Sequence, residues 1–239
     1  MKIITWNCNG AFRKKYHALE DEGADILVIQ ECEDPARSTK AFQRWAGSSY
    51  LWSGENKNKG IGVFARSGYE LRVLGLEDDG LQLFLPFSVN DKLNLIAVWT
   101  KHAGSPNFRY IGQFWKYLQL HKDSIRELNP VICGDFNSNV IWDDWDRWWN
   151  HSDVVRELDE IGFESLYHFV SGEAQGKESS PTLYLYRKTD RPYHIDYVFV
   201  PSEVLAGSRL KVGVHGEWLE YSDHMPVIFE VPSLDKVTN

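Results

Sequence analysis

The sequence predicts a single α/β domain, and three observations carry that prediction. Short apolar runs recur along the whole chain, each bounded by turn residues. The first two of them enclose a helical stretch, giving strand, helix and strand within about 30 residues. Longer amphipathic segments then alternate with hairpin-like pairs of runs. Such a mixture favours two packed sheets with helices outside. The periodicity leaves the strand order open. With 239 residues, the chain can bury a large core without disulfides or structural metal. Its 43% hydrophobic and 25% charged residues exclude disordered, collagen-like and disulfide-scaffold classes.

Lys2 to Thr5 reads as the first strand. Residues 12 to 22 read as a helix, because Phe12, Tyr16 and Leu19 fall at i, i+4 and i+7 and Gly23 suits a C-cap. Ile26 to Ile29 is a buried-strand run ending in Gln30-Glu31. Strand-like runs follow at 61–65, 69–74, 81–89 and 93–100, separated by Ser67-Gly68, Asp78-Asp79-Gly80 and Asn90-Asp91. Residues 108 to 128 form an amphipathic helix, with Ile111, Trp115, Leu118 and Ile125 on its apolar side. Val131 to Cys133 is a buried strand ending at Gly134-Asp135. Residues 142 to 162 read as a very acidic helix and 172 to 180 as a polar loop. Strands are expected at 182–186, 194–200, 211–214 and 227–231, with a flexible tail over 232–239. Cys8, Cys32 and Cys133 lie in or beside apolar runs and read as small buried thiols.

Several of these strands end in, or contain, polar groups that are costly to bury unless paired. Asn7 follows the first, Glu31 the second and His102 the strand ending at Thr100. Asp135 and Asn137 follow Val131 to Cys133, Asp196 interrupts His194 to Val200, and Asp223-His224 precede the last strand. Any one of them alone reads as a loop-start residue. Six such places around one core point to a site, because strand ends are where α/β proteins gather theirs. Carboxylates and amides without cysteine ligands suit a hard cation such as Mg²⁺ or Mn²⁺. Histidine near aspartate suits proton transfer. Together they suit hydrolysis of a phosphate ester. No Gly-x-Ser-x-Gly elbow, P-loop lysine or His-Glu-x-x-His pattern competes with that reading.

In order, the chain carries Trp6-Asn7-Cys8-Asn9-Gly10, Ile29-Gln30-Glu31, Gly60-Ile61-Gly62-Val63, Gly134-Asp135-Phe136-Asn137, Ile195-Asp196-Tyr197-Val198 and Ser222-Asp223-His224-Met225-Pro226-Val227. This series resembles the endonuclease/exonuclease/phosphatase superfamily, the exonuclease III and DNase I-like phosphoesterases, from residue 3 to about 231. The resemblance implies a four-layered α/β sandwich, with two packed mixed sheets flanked by helices. It implies dependence on Mg²⁺ or Mn²⁺ and in-line attack of water on a phosphoester. It implies metal ligation by Glu31, with Asn7 and Asp223 in the same shell. Asp196 would pair with His224, Asp135 would hold or activate water, and Asn137 would orient it. His102 stands where many members have histidine and abasic-site endonucleases tend to have tyrosine. Asn9 departs from members with aspartate there and is read as a substrate contact.

Arg13, Lys59, Lys101 and Arg191 are further candidate phosphate contacts, if the loops holding them lie at the site mouth. The tryptophans at 142, 145, 148 and 149 have near-helical spacing and read first as core packing, second as a stacking surface for bases. The formal net charge is −8, which at first argues against a polyanionic substrate. Residues 140 to 180, however, hold ten acids and three bases, a net −7. That segment is expected to face away from such a substrate or to limit which one fits. The leading expectation is a nuclease acting on DNA or RNA. The alternatives are a phosphatase or phosphodiesterase of a small molecule or lipid headgroup, and a binding module that kept the fold. No signal peptide or apolar run of membrane-span length appears, so a cytoplasmic monomer is expected.

Overall fold

The structure is a computed structural model that describes residues 1–66 and 68–232. All but Pro232 of the expected tail lies outside the described residues. The strands are β1 (Lys2–Asn7), β2 (Ile26–Cys32), β3 (Tyr50–Asn56), β4 (Lys59–Ala65), β5 (Leu71–Val73), β6 (Phe84–Val89) and β7 (Leu93–Trp99). They continue with β8 (Val131–Asp135), β9 (Phe163–Ser165), β10 (Leu183–Tyr184), β11 (Pro192–Tyr193), β12 (Asp196–Pro201), β13 (Arg209–Val212) and β14 (Val227–Glu230). The α-helices are α1 (Lys40–Ala46), α2 (Ile111–Leu128), α3 (His151–Glu160), α4 (Leu166–Ser171) and α5 (His215–Trp218).

One sheet has the order β13-β14-β1-β2-β4-β3 and the other β5-β6-β7-β8-β12-β9. Both are mixed: β1 runs parallel to β2, and β7 parallel to β8, while the remaining pairs are antiparallel. Alternation along the strands decides what each face meets. Ile3, Val28 and Val63 point inward and pack with Phe87, Leu95, Val131 and Val198 of the opposite sheet. Ile4, Trp6 and Leu27 point outward and meet Phe12, Leu19, Phe42 and Trp218. On the far side, Ile96, Val98 and Ile132 meet Phe114, Leu118, Val154 and Leu158 of α2 and α3. Helices, sheet, sheet and helices make the four expected layers.

Three local expectations are corrected. Residues 12–22 are two 3-10 segments, Phe12–Lys14 and Tyr16–Glu22, and Gly23 closes the second with φ 61°. The break is at Lys15, whose Nζ turns back to donate to the Cys8 carbonyl at 2.6 Å. Residues 142–162 are not one helix. A 3-10 turn ends at Trp142, Asp143 is extended, and α3 begins only at His151. Third, β3, β9 and α1 were not expected. β3 is polar at its end and lies at the sheet edge, and α1 is only two turns long, so neither has a strong periodic signature.

Candidate active site

The register of the two sheets brings the strand ends together. β12 pairs antiparallel with β8 so that Asp196 stands opposite Asp135. β1 pairs with β14, and the Ser222-Asp223-His224 turn leads into β14 beside Asn7. Ser222 fixes that approach: its hydroxyl donates to the Asn7 carbonyl at 2.7 Å and accepts from the His224 amide at 3.0 Å. The Trp6 indole donates to the His224 carbonyl at 2.9 Å.

Asp135, Asp196 and His224 form a buried cluster. His224 Nδ1 lies 2.9 Å from Asp196 Oδ2. Thr182 holds the Asp196 end, since its hydroxyl accepts from the amides of Ile195 and Asp196 at 2.9 and 3.0 Å. Asp135 is clamped by amides. Oδ2 accepts from Asn7 Nδ2 at 2.8 Å and Asn137 Nδ2 at 2.9 Å, and Oδ1 accepts from the Asn137 backbone at 2.8 Å. Asn137 reaches this position with φ 46°, a left-handed conformation that asparagine tolerates. Gly134 is required just before it. Its φ is 145°, and a Cβ there would meet the Val98 carbonyl oxygen at 1.9 Å.

Electrostatics separate the two titrating groups. Burial pushes the Asp135 carboxyl up, and the neighbouring Asp196 charge adds to this. The His224 imidazolium and the amides oppose it, leaving the carboxyl at about 7. For His224, burial acts downward, but the charges of Asp196 and Asp135 outweigh it and raise the imidazolium to about 10. The cluster thus stores protons at neutral pH, shared within one coupled unit.

Glu31 projects from the neighbouring strand. The β2–β4 register shifts between Gln30 and Cys32, and Glu31 has φ 56°, so a bulge aims its side chain out of the sheet. Lys59 Nζ contacts Glu31 Oε2 at 2.5 Å. Asp223 Oδ1 accepts from Asn9 Nδ2 at 2.8 Å, and Asn7 Oδ1 accepts from the Asn9 amide at 3.0 Å. Asn9 thus bridges Asn7 and Asp223; these two and Glu31 each offer a side-chain oxygen, and the Lys59 ammonium already sits on the Glu31 carboxylate. Those donors fit a hard divalent cation.

The remaining candidates are placed differently. His102 is exposed on the loop after β7, edge-on to Tyr110 with centroids 6.2 Å apart, and does not join the cluster. Arg13 is held by Glu33 through its amide and Nη1 at 3.1 and 2.9 Å. Lys101 pairs with Glu55 at 3.2 Å and lies over the Trp99 ring. Arg191 is exposed in the β10–β11 connection. Trp6, Ser222 and Thr182 were missed from the sequence. The first two sit inside the motifs that carry the resemblance, whereas nothing near Thr182 marks it out.

Asn137 also borders a cavity of about 330 Å³ lined by Tyr110, Trp142, Arg147 and His151, among others. A larger one, about 500 Å³, lies between α3 and α4 and contains none of the candidate residues.

Among curated proteins none matches the chain. Solved structures do. The chain aligns with a 3′-5′ exonuclease from Neisseria meningitidis (NExo) at TM-score 0.74 and 23% identity, over 97% of this chain and 99% of that one. It aligns with a structure described as the 3′ phosphatase NExo from Neisseria bound to product DNA hairpin at TM-score 0.69 and 22% identity, over 97% and 99%. An AP endonuclease from Archaeoglobus fulgidus gives TM-score 0.67 and 20% identity, again over 97% and 99%. At these identities the likeness establishes the fold. The sequence pattern of the endonuclease/exonuclease/phosphatase family matches residues 4–224, from the Trp6-Asn7 motif to Asp223-His224 of the last one. The chain belongs to the endonuclease/exonuclease/phosphatase family and is a hydrolase acting on phosphoester bonds.

Proposed function

We propose that the chain is a nuclease, hydrolysing phosphodiester bonds of nucleic acid with Mg²⁺ or Mn²⁺ bound. The observation that carries this reading is the buried Asp196–His224 pair facing Asp135, itself clamped by Asn7 and Asn137. Glu31, with Asn7 and Asp223, would hold the metal, which when bound would supply positive charge to the phosphoryl oxygens. Asp135, with its carboxyl near neutrality, takes a proton from the attacking water as the new P–O bond forms and the P–O bond to the leaving oxygen breaks, that oxygen taking up a proton from solvent. Asn7 and Asn137 fix the carboxylate so that the remaining lone pairs face that water. Asp196 takes Nδ1 of His224, leaving Nε2–H to donate to a phosphoryl oxygen as charge builds there. This division assigns the base to Asp135 and the stabilising donor to His224.

A phosphatase acting at a nucleic-acid 3′ end is the second reading. It is favoured by the Neisseria structure whose description names that activity and a DNA product.

The test is turnover of a substrate panel: single- and double-stranded DNA, abasic duplex, RNA, a 3′-phosphorylated hairpin and small phosphoesters. Each is run with Mg²⁺ or Mn²⁺ and with EDTA. Cleavage of a polynucleotide that EDTA abolishes is expected, with His224→Ala and Glu31→Ala each slower by at least roughly 10²-fold. Intact polynucleotides beside turnover of a small ester would sink the nuclease reading. Wild-type rates in either variant would sink the role assignments.

A further inference from the structure

We propose that the tryptophan-bearing segment 141–149 is a stacking surface for unpaired bases, so that the site takes single-stranded nucleic acid or frayed ends. The inference rests on the nuclease reading and adds to it the conformation of the substrate.

Exposure carries the first step. Trp145 is 96% exposed, Trp148 63% and Trp142 45%. Exposed apolar surface of that size on one short segment marks a contact surface. The spacing of the four tryptophans reads first as a helix packed into the core and second as a stacking surface. They lie where the chain is irregular, with Trp149 half-buried and the other three exposed.

Position carries the second step. Trp142 and Tyr110 form aromatic walls of the 330 Å³ cavity that Asn137 borders. A cavity of that volume has room for a base. Three residues of chain span at most about 11 Å, so Trp145 lies within reach of the next nucleotide or two. Arg109 lines the same cavity and brings positive charge beside the rings, while Arg147 and Asp143, also in its wall, are engaged by Asp144 and by the start of α3.

Rigidity carries the third. Asn150 ties the segment shut: its Nδ2 donates to the carbonyls of Asp144 and Arg147 at 2.9 and 3.0 Å, and its Oδ1 accepts from the Asp144 amide at 2.9 Å. Trp149 anchors it against Phe108, with centroids 4.6 Å apart, and Trp148 stands edge-on to Trp149 at 4.8 Å. Trp142 leans on Tyr193 at 5.1 Å. The backbone of the segment and the rings of Trp142, Trp148 and Trp149 are thus held in place, which lowers the cost of ordering them on binding.

The acids of this region do not oppose the assignment. Asp143 accepts from the amides of His151 and Ser152 at the start of α3. Asp144 pairs with Arg147 and Asp153 with Arg156. Of the acids at 143–153, Asp146 alone has neither a cation nor a helix terminus as partner.

The experiment measures binding by fluorescence anisotropy of the full chain in EDTA, where hydrolysis is absent. The probes are a labelled thymidine 12-mer and a 12-mer of baseless tetrahydrofuran spacers with the same phosphates. Stacking on tryptophan is worth roughly fivefold to a hundredfold per base. The wild type is therefore expected to prefer the thymidine probe by at least about tenfold. Trp145→Ala/Trp148→Ala should reduce that preference to about twofold or less while leaving spacer affinity unchanged. Trp145→Phe/Trp148→Phe should keep most of it. Both pairs are exposed, and an unchanged thermal melt confirms folding. Equal wild-type affinity for the two probes would overturn the proposal, as would a preference that survives the alanine pair. If cleavage of polynucleotides persists in either case, the nuclease reading stands while the stacking surface falls. If no polynucleotide is bound or cleaved and a small ester is turned over, both fall.

Discussion

His224 and Asp135 are opposite kinds of titrating group held about one proton apart. A buried imidazole alone would be neutral, and a paired carboxylate alone would be ionised well below neutrality. Both tendencies are reversed here: burial, with the Asp196 charge added, raises Asp135 to about 7, and the charges of Asp196 and Asp135 overcome burial and raise His224 to about 10. The consequence for stability has a definite sign. Each group has its folded pKa above its unfolded value, so each contributes stability at low pH that is lost as pH rises through the folded value. For Asp135 the loss runs from the ordinary carboxylate range up to about 7. For His224 it runs from about 6.5 up to about 10. The metal-free protein is therefore expected to melt at progressively lower temperature from pH 7 to pH 10. Asp196→Asn should lower the His224 pKa by about 1–3 and flatten that decline. NMR titration of the His224 ring in EDTA checks this directly. A wild-type ring that titrates between pH 6 and 7 would contradict it.

At the scale of the element, β8 is where fold and site meet. Its last two residues put Gly134 against β7 and Asp135 into the cluster, so the strand cannot shift without moving the carboxylate. Gly134→Ala would drive a Cβ into the Val98 carbonyl and force a side chain onto φ 145°. The expected cost is about 3 kcal/mol, or roughly a 10 °C fall in Tm. Gly216→Ala, which meets nothing within 4 Å, is the control. A melt for Gly134→Ala equal to that control would refute the packing account. This strand was legible in the sequence because Val131 to Cys133 is purely apolar and Gly-Asp-Phe-Asn follows at once. Glu31, Asp196 and Asp223-His224 were legible for the same reason: a polar group cutting into an apolar run is locally visible. Segment 142–162 was not. Its tryptophan spacing imitates a helix, but Asp143, Asn150 and Asp153 all hydrogen-bond backbone groups around the start of α3. Side chains that compete with the helix in this way delay its start. The Thr182 support for Asp196 crosses from a loop to the start of β12, a relation no local pattern encodes. Packing of the segment against α2 is a tertiary effect of the same sort. A Cβ on Gly112 would meet Trp149 Cδ1 at 2.9 Å. Gly112→Ala should therefore displace the tryptophans and weaken binding of the thymidine 12-mer by several-fold, despite alanine's better helix propensity, as read by the same anisotropy assay.

For the molecule as a whole, a net charge of −8 coexists with membership of a family of phosphoester hydrolases. The structure shows how. The strongly acidic segment 140–180 was expected to turn away from a polyanion or to limit which one fits, and Trp142 and Arg147 line a cavity together with Asn137. Its acids are instead absorbed locally, by the start of α3, by Arg147 and Arg156, and by the interior contact of Glu178 with His168 at 3.1 Å. Formal charge counts every one of these equally, whereas an approaching phosphate feels mainly the uncompensated ones. Asp146, exposed and next to Trp145, is one of those, and removing its charge gives a quantitative check. At 50 mM salt, where the Debye length is about 14 Å, Asp146→Asn should tighten binding of a single-stranded 12-mer by about threefold. At 200 mM, where that length is about 7 Å, the gain should shrink toward nothing. Asp123→Asn on α2, whose acid is paired with Arg126, should show no gain at either salt concentration. Equal effects from the two substitutions would mean that total charge, not its placement beside the aromatic segment, governs the approach of the substrate.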